Sequence, residues 1–211
     1  MSKVLSETSS QTVKQKLTTA FGLGAALMGL ASASLVQAES IDFSFGDNAA
    51  KVQFSSDLPG NDLSWNVEAL HYEENDADAN ILGAGVFVAG RSNASTARQT
   101  AGLGGKAIFV DPEFFESGLG VAVGGYLRHT LRQANLVSLR GELFFGPSII
   151  SFRGLERYLE ATARVEYQLL DQANVFLGYS IVDTKLEAKG SGGAVNVKFV
   201  DSLVAGVNIL F

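Results

Sequence analysis

Cysteine is absent from the 211 residues, so neither a disulfide framework nor a thiolate metal site is available. Proline occurs three times and histidine twice, and no cofactor-binding motif survives inspection. An excess of positive charge is also missing: 16 basic residues stand against 22 acidic ones, a net charge of −6, which argues against a nucleic-acid partner. Beyond the N-terminal segment there is no apolar run approaching the ~20 residues that a membrane helix needs. The longest, Ile81 to Gly90, has instead the length of a tilted membrane strand of about 9 to 11 residues.

What is present begins with a polar run carrying Lys3, Lys14 and Lys16, followed by a Gly/Ala/Leu-rich apolar core from Ala20 to Ala33. Val36-Gln37-Ala38 then supplies a small-x-small cleavage signal, so residues 1–38 read as a secretory signal peptide, with Glu39 opening the mature chain. A single anchoring helix is the alternative, but the apolar core falls well short of the length a bilayer requires. Three of the basic and one of the acidic residues lie before position 39, which leaves 13 and 21, a net charge of −8, on 173 residues. That length suits one domain.

From Glu39 onward about ten segments alternate between apolar and mixed residues, separated by turn chemistry, with no convincing helical period. The last is the cleanest: Leu203, Ala205, Val207, Ile209 and Phe211 share one face and Ser202, Val204, Gly206, Asn208 and Leu210 the other. Earlier strands repeat the pattern. Leu63, Trp65, Val67 and Ala69 oppose Ser64, Asn66 and Glu68; Leu159, Ala161, Ala163, Val165 and Tyr167 oppose Glu160, Thr162, Arg164 and Glu166. A uniformly apolar face on strand after strand belongs against lipid, and the mixed face belongs in a lumen. The expectation is an all-β, antiparallel up-and-down transmembrane β-barrel over residues 39–211. Ten strands are expected, or eight if the short first hairpin (Ile41 to Phe45, Lys51 to Ser55) does not span. Polar loops are expected at Glu73–Asn80, Arg91–Arg98 and Lys185–Gly193.

Two sets of residues follow from the parity. Outward aromatics sort into belts: Trp65, Tyr167 and Phe211 at the periplasmic boundary, Phe45, Phe109, Phe145 and Phe199 at the outer one. The inward set Glu68, Lys106, Arg128, Arg140, Glu142, Glu160, Arg164 and Glu166 mixes both signs. Charges in a confined interior are costly unless paired, so a network of ion pairs filling the lumen is one reading and a selective, charge-lined pore the other. Because barrels of about 8 strands are just filled by side chains, a ten-stranded one should be largely plugged.

Four stretches carry a family resemblance: Gly104-Gly-Lys-Ala-Ile-Phe-Val-Asp-Pro112; Gly141-Glu-Leu-Phe-Phe-Gly-Pro-Ser148 running into Ile149-Ile-Ser-Phe152; Tyr158 to Tyr167 with Glu160, Arg164 and Glu166; and Phe176-Leu-Gly-Tyr179. Together, across essentially the whole mature chain, they resemble the YfaZ family of bacterial outer-membrane proteins. The resemblance implies an exported outer-membrane barrel and brings no catalytic residue or substrate with it.

Other candidate chemistry is thin. Gly102-Leu-Gly-Gly-Lys106 misses the phosphate-loop spacing, and no helix follows. Asp76-Ala-Asp-Ala-Asn80 starts like a calcium loop, but Ile81 replaces the required glycine and Phe87 the bidentate glutamate. Asn93-Ala-Ser95 matches a glycosylation acceptor by chance. His71 and His129 fall at opposite barrel ends and cannot share a metal. His71, beside Glu73, Glu74 and Asp76, is the one place where a His-carboxylate pair could activate water, though no nucleophile motif accompanies it. The expected function is therefore non-enzymatic: a structural or surface role, or a narrow conduit for small solutes or ions. A lipid- or peptide-cleaving rim enzyme near His71 is the alternative. Expected partners are outer-membrane lipid and lipopolysaccharide, together with periplasmic chaperones and the barrel-assembly machinery, which would read Phe211 as its terminal signal. A monomer with no cofactor and no metal is expected.

Overall fold

The computed structural model describes residues 37–58, 62–74, 77–93, 97–190 and 193–211. The expected signal segment lies outside them except for Gln37 and Ala38, which open the first strand. Alternation over the rest produces β1 (Gln37–Phe45), β2 (Ala49–Asp57), β3 (Leu63–Glu74), β4 (Ala77–Asn93), β5 (Ala97–Pro112) and β6 (Gly118–Leu131). These are followed by β7 (Val137–Gly146), β8 (Ser151–Phe152), β9 (Leu155–Leu170), β10 (Ala173–Glu187) and β11 (Ala194–Leu210). Each long strand pairs antiparallel with its sequence neighbour, β7 passing to β9. The β1–β11 pairing closes the ring, so no edge is left to meet lipid with unpaired backbone. Ten strands make the barrel; β8 is a two-residue spur on β6.

The choice between ten and eight strands is settled by the first hairpin. β1 is bonded to β2 from Gln37↔Asp57 to Phe45↔Ala50, and on its other side to β11 from Ser40↔Leu210 to Phe45↔Ala205. All three sequence-based loops shrink. Glu73↔Asp78 and His71↔Asn80 are register partners, so most of the expected acidic loop Glu73–Asn80 is strand. Lys185, Leu186 and Glu187 pair with Asn196, Val195 and Ala194, so the opening residues of the expected loop Lys185–Gly193 are strand. In both places polar residues suggested a loop, but backbone pairing across a hairpin continues above the apolar band, where water can solvate the side chains. The Arg91–Arg98 return is likewise shorter, since β4 runs to Asn93 and β5 starts at Ala97.

Both chain ends of the barrel lie at one rim, called here the near end, with the last residues of β2, β4, β6 and β9 and the first residues of β3, β5, β7 and β10. The far end carries the longest connection, residues 147–154, where Arg153 and Gly154 adopt φ of 49° and 66° to reverse the chain into β9. The outer face is predominantly apolar, with Val86, Val88, Leu103, Val123, Leu139, Leu143, Leu177 and Leu203 all exposed, and is interrupted on β11 by the exposed Asp201, which is bonded to Tyr179 and Lys198. On a water-facing surface so extensive an apolar band would be an aggregation liability; against acyl chains it is the required solvent match.

Six of the seven outward aromatics take their expected places. Phe45, Phe109 and Phe145 are exposed near the far end, Tyr167 and Phe211 near the other, and Trp65 packs at 5.3 Å on Phe54, itself 6.5 Å from Phe211. Phe199 is the correction. It is only 3% exposed and sits inside, edge-on to Tyr72 at 5.5 Å. The cause is a bulge: Val182 pairs with Val200 but Asp183 pairs with Lys198, so Phe199 is the extra residue and parity flips beyond it.

Candidate functional site

The interior has three levels, and strand alternation supplies each. At the far end it is an apolar core, not a polar lumen: Ile81, Val110, Leu155, Tyr158, Leu186 and Phe199 pack together, almost wholly buried. This layer was not foreseen. Its signal was present in the inward-parity positions of β4, β5 and β10, which change from Gly and polar residues to Ile, Val and Leu toward the far end.

Below it lies a four-membered charge cluster. Lys106 Nζ donates to Glu68 Oε1 at 2.6 Å and to Glu160 Oε2; Lys51 Nζ lies 2.6 Å from Glu160 Oε1 and 2.9 Å from Glu68 Oε2. Each ammonium thus touches both carboxylates, and Tyr158 donates a further hydrogen bond to Glu160 at 2.9 Å. The Lys106 ammonium also rests 4.4 Å from the Phe144 ring centre. Largely buried, with only Lys51 partly exposed, such a cluster is tolerable because every charge has two opposite neighbours. Gly83 makes room for it: a Cβ there would come within 2.7 Å of the Glu68 side chain.

The third level, toward the near end, is a polar vestibule. Its side wall is a row of register partners across five consecutive strands: Arg91↔Thr100, Thr100↔Arg128, Arg128↔Arg140 and Arg140↔Arg164. Arg128 lies 2.9 Å from Glu166 Oε2, and Arg164 bridges Glu166 at 2.9 Å and Asp42 at 2.6 Å. Arg140 pairs with Glu142 at 2.6 Å, and Arg91 with Asp57. Arg164 also lies 4.1 Å from the Phe176 ring centre. Two adjoining cavities of about 300 Å³ and 290 Å³ open between these side chains.

All eight inward charges singled out in the sequence therefore lie in the interior, Glu68, Lys106 and Glu160 in the four-membered cluster and Arg128, Arg140, Glu142, Arg164 and Glu166 in the vestibule. Lys51 and Asp42, which complete the two groups, were passed over, although both have the inward parity of their strands. The remaining candidates stay apart. Gly102 to Lys106 is mid-strand in β5, and Asp78 and Asn80 are strand residues of β4. Among the described residues no group of three or more potential ligands could hold a metal ion, and Asp76 and Ala94–Ser95 lie outside them. His71 and His129 are at opposite ends, bonded to Asn80 and Gln99 respectively, each at 3.0 Å. His71 Nε2 is 3.9 Å from Glu73 Oε2 on the exposed far rim.

The family model described as YfaZ precursor matches residues 16–211. The chain belongs to the YfaZ family. It is 29% identical over 192 residues to the outer membrane protein YfaZ of Escherichia coli (strain K12), covering 88% of this chain and 98% of that one. This YfaZ-family chain is thus an outer-membrane β-barrel protein, and the precursor form implies export. Among solved structures it is similar to the KdgM porin in complex with disordered oligogalacturonate, with 14% identity, 83% of this chain and 99% of that one covered, and a TM-score of 0.36. A translocator domain of the autotransporter NalP from Neisseria meningitidis is similar at 13% identity, with coverages of 96% and 98% and a TM-score of 0.26. At such scores the fold assignment rests on the strand pairing itself.

Proposed function

We propose that this barrel is a closed, non-enzymatic outer-membrane protein with a structural or surface role, not an open conduit. The observation that carries this reading is the apolar core of Ile81, Val110, Leu155 and Leu186 stacked on the Lys51–Glu68–Lys106–Glu160 cluster. A permeating ion would have to cross both a dry layer and a set of mutually satisfied charges. Purified protein in a planar bilayer should give no resolved conductance steps. Steady open steps would overturn the closed reading and favour the narrow conduit.

The rim alternative has less support. The cavity beside His71 is bordered by Phe45, Asp47, Asn48, Glu73 and Glu74, and among the described residues no hydroxyl or thiol side chain lines it. Replacing His71 by Ala should leave lipid and peptide substrates untouched by either form, and hydrolysis by wild type alone would install the enzyme reading. The proposal includes a monomer in contact with lipid and lipopolysaccharide, assembled with periplasmic chaperones and the barrel-assembly machinery. It also includes cleavage after Ala38: N-terminal sequencing of outer-membrane protein should start at Glu39.

A further inference from the structure

The arginine row changes character along its length. Side-chain exposure falls from 64% at Arg91 through 34% at Arg128 and 20% at Arg140 to 7% at Arg164. Strand tilt explains this, because a row perpendicular to tilted strands climbs the barrel wall. The guanidinium groups therefore form a ramp from the near-end mouth toward the charge cluster, where the way is shut.

Charge along the ramp is not balanced. Arg91, Arg128, Arg140 and Arg164 are matched by Asp57, Glu166, Glu142 and Asp42, while Arg98, at the mouth beside Arg91 and Arg128, has no carboxylate within ion-pair distance among the described residues. Hydrogen-bond capacity is also left over deep in the vestibule. Arg140 Nε is a buried donor and Asn66 Oδ1 a buried acceptor, each with no hydrogen-bond partner, the acceptor being suited to the hydroxyl of a hydrogen phosphate; Arg128 Nε faces Glu166 without the alignment of a hydrogen bond. Arg140, Arg128 and Asn66 line the cavity of about 290 Å³ together with Asp57 and Glu142, while Arg98 lines the adjoining cavity of about 300 Å³, which shares Arg91 and Arg128 with it. Unused guanidinium donors in a half-enclosed vestibule, with one surplus positive charge at its mouth, are the recognition chemistry of an oxyanion.

We propose that the vestibule is a binding site, open at the near end, for a small oxyanion of phosphate type, held at the mouth by Arg98 and Arg128 with Arg140 beneath. A protein whose net charge is negative thus keeps a cationic pocket for a solute that its outer surface would repel. The proposal rests on the closed reading only in making the vestibule a dead end.

The test is calorimetric titration of the full barrel in detergent with inorganic phosphate at fixed ionic strength, chloride being the reference anion. Saturable phosphate binding is expected in wild type, weakened by about tenfold or more in Arg98→Gln, since a charge-assisted hydrogen bond is lost. It should be unchanged in Lys189→Gln, which removes a cation at the far end that donates to the Glu113 carbonyl. Arg98 is exposed and unpaired, so its variant should fold; retained heat-modifiable mobility checks this. Absence of saturable binding, equal affinity in Arg98→Gln, or equal loss in Lys189→Gln overturns the site. Conductance in the planar bilayer would remove the closed reading while leaving the anion site to stand or fall on the titration.

Discussion

Arg140 on β7 and Arg164 on β9 are direct register partners inside the barrel, two like charges facing one another across a strand pair. Like charges directly opposed are destabilising by themselves. They coexist because Glu142 and Glu166 follow two residues along the same strands on the same face, each within 2.9 Å of its arginine, and Asp42 reaches Arg164 from β1.

Reversing Arg164 to Glu should therefore be the most damaging single change in the vestibule, since it sets a third carboxylate beside Glu166 and Asp42 in a buried site. Breaking a buried pair costs about 3–5 kcal/mol, so the urea midpoint of the refolded barrel should fall markedly. Arg98→Glu, at the exposed mouth, should move it little. Equal midpoints for both variants would show that the interior charges are not coupled as described.

Lys106 and Glu68 make a double-mutant cycle informative. Lys106→Met leaves both carboxylates with Lys51 alone and should cost about 3–5 kcal/mol. Adding Glu68→Met restores charge balance with Lys51 and Glu160 still paired at 2.6 Å. The double variant should recover part of the loss, giving a coupling energy of about 0.5–3 kcal/mol. Strict additivity would mean that the cluster does not act as one unit.

Phe199 and Phe109 test the bulge on β11. Truncating Phe199 to Ala empties space in the apolar core, a change of about 3–5 kcal/mol for a buried phenylalanine. Phe109→Ala exposes nothing to water and exchanges a ring at the lipid boundary for acyl chain. Denaturation in lipid vesicles should separate the two variants, with Phe199→Ala the less stable; the reverse order would put Phe199 back on the outer face.

Phe211 follows the last strand residue and lies close to Phe54 at the near end. Its deletion should lower the amount of folded, heat-modifiable barrel in the outer membrane more than it lowers the unfolding midpoint of material that has assembled. Unchanged membrane levels would remove its role as an assembly signal.

Alternation by itself determined the barrel, its ten strands within one alternative, the lipid face and the eight interior charges from Glu68 to Glu166, because side chains on a strand have no choice of face once the period is set. Three matters escaped it. Parity is lost at a bulge, and nothing local around Phe199 announces that one extra residue will be accommodated there. Pairing between interior charges depends on strand tilt and shear, which bring Lys51 of β2 to Glu160 of β9 across the lumen from 109 positions away. The stacking of an apolar core over a charge cluster over an open vestibule is likewise a property of the closed ring: the cluster draws Lys51, Glu68, Lys106 and Glu160 from four different strands, and only closure decides that they meet.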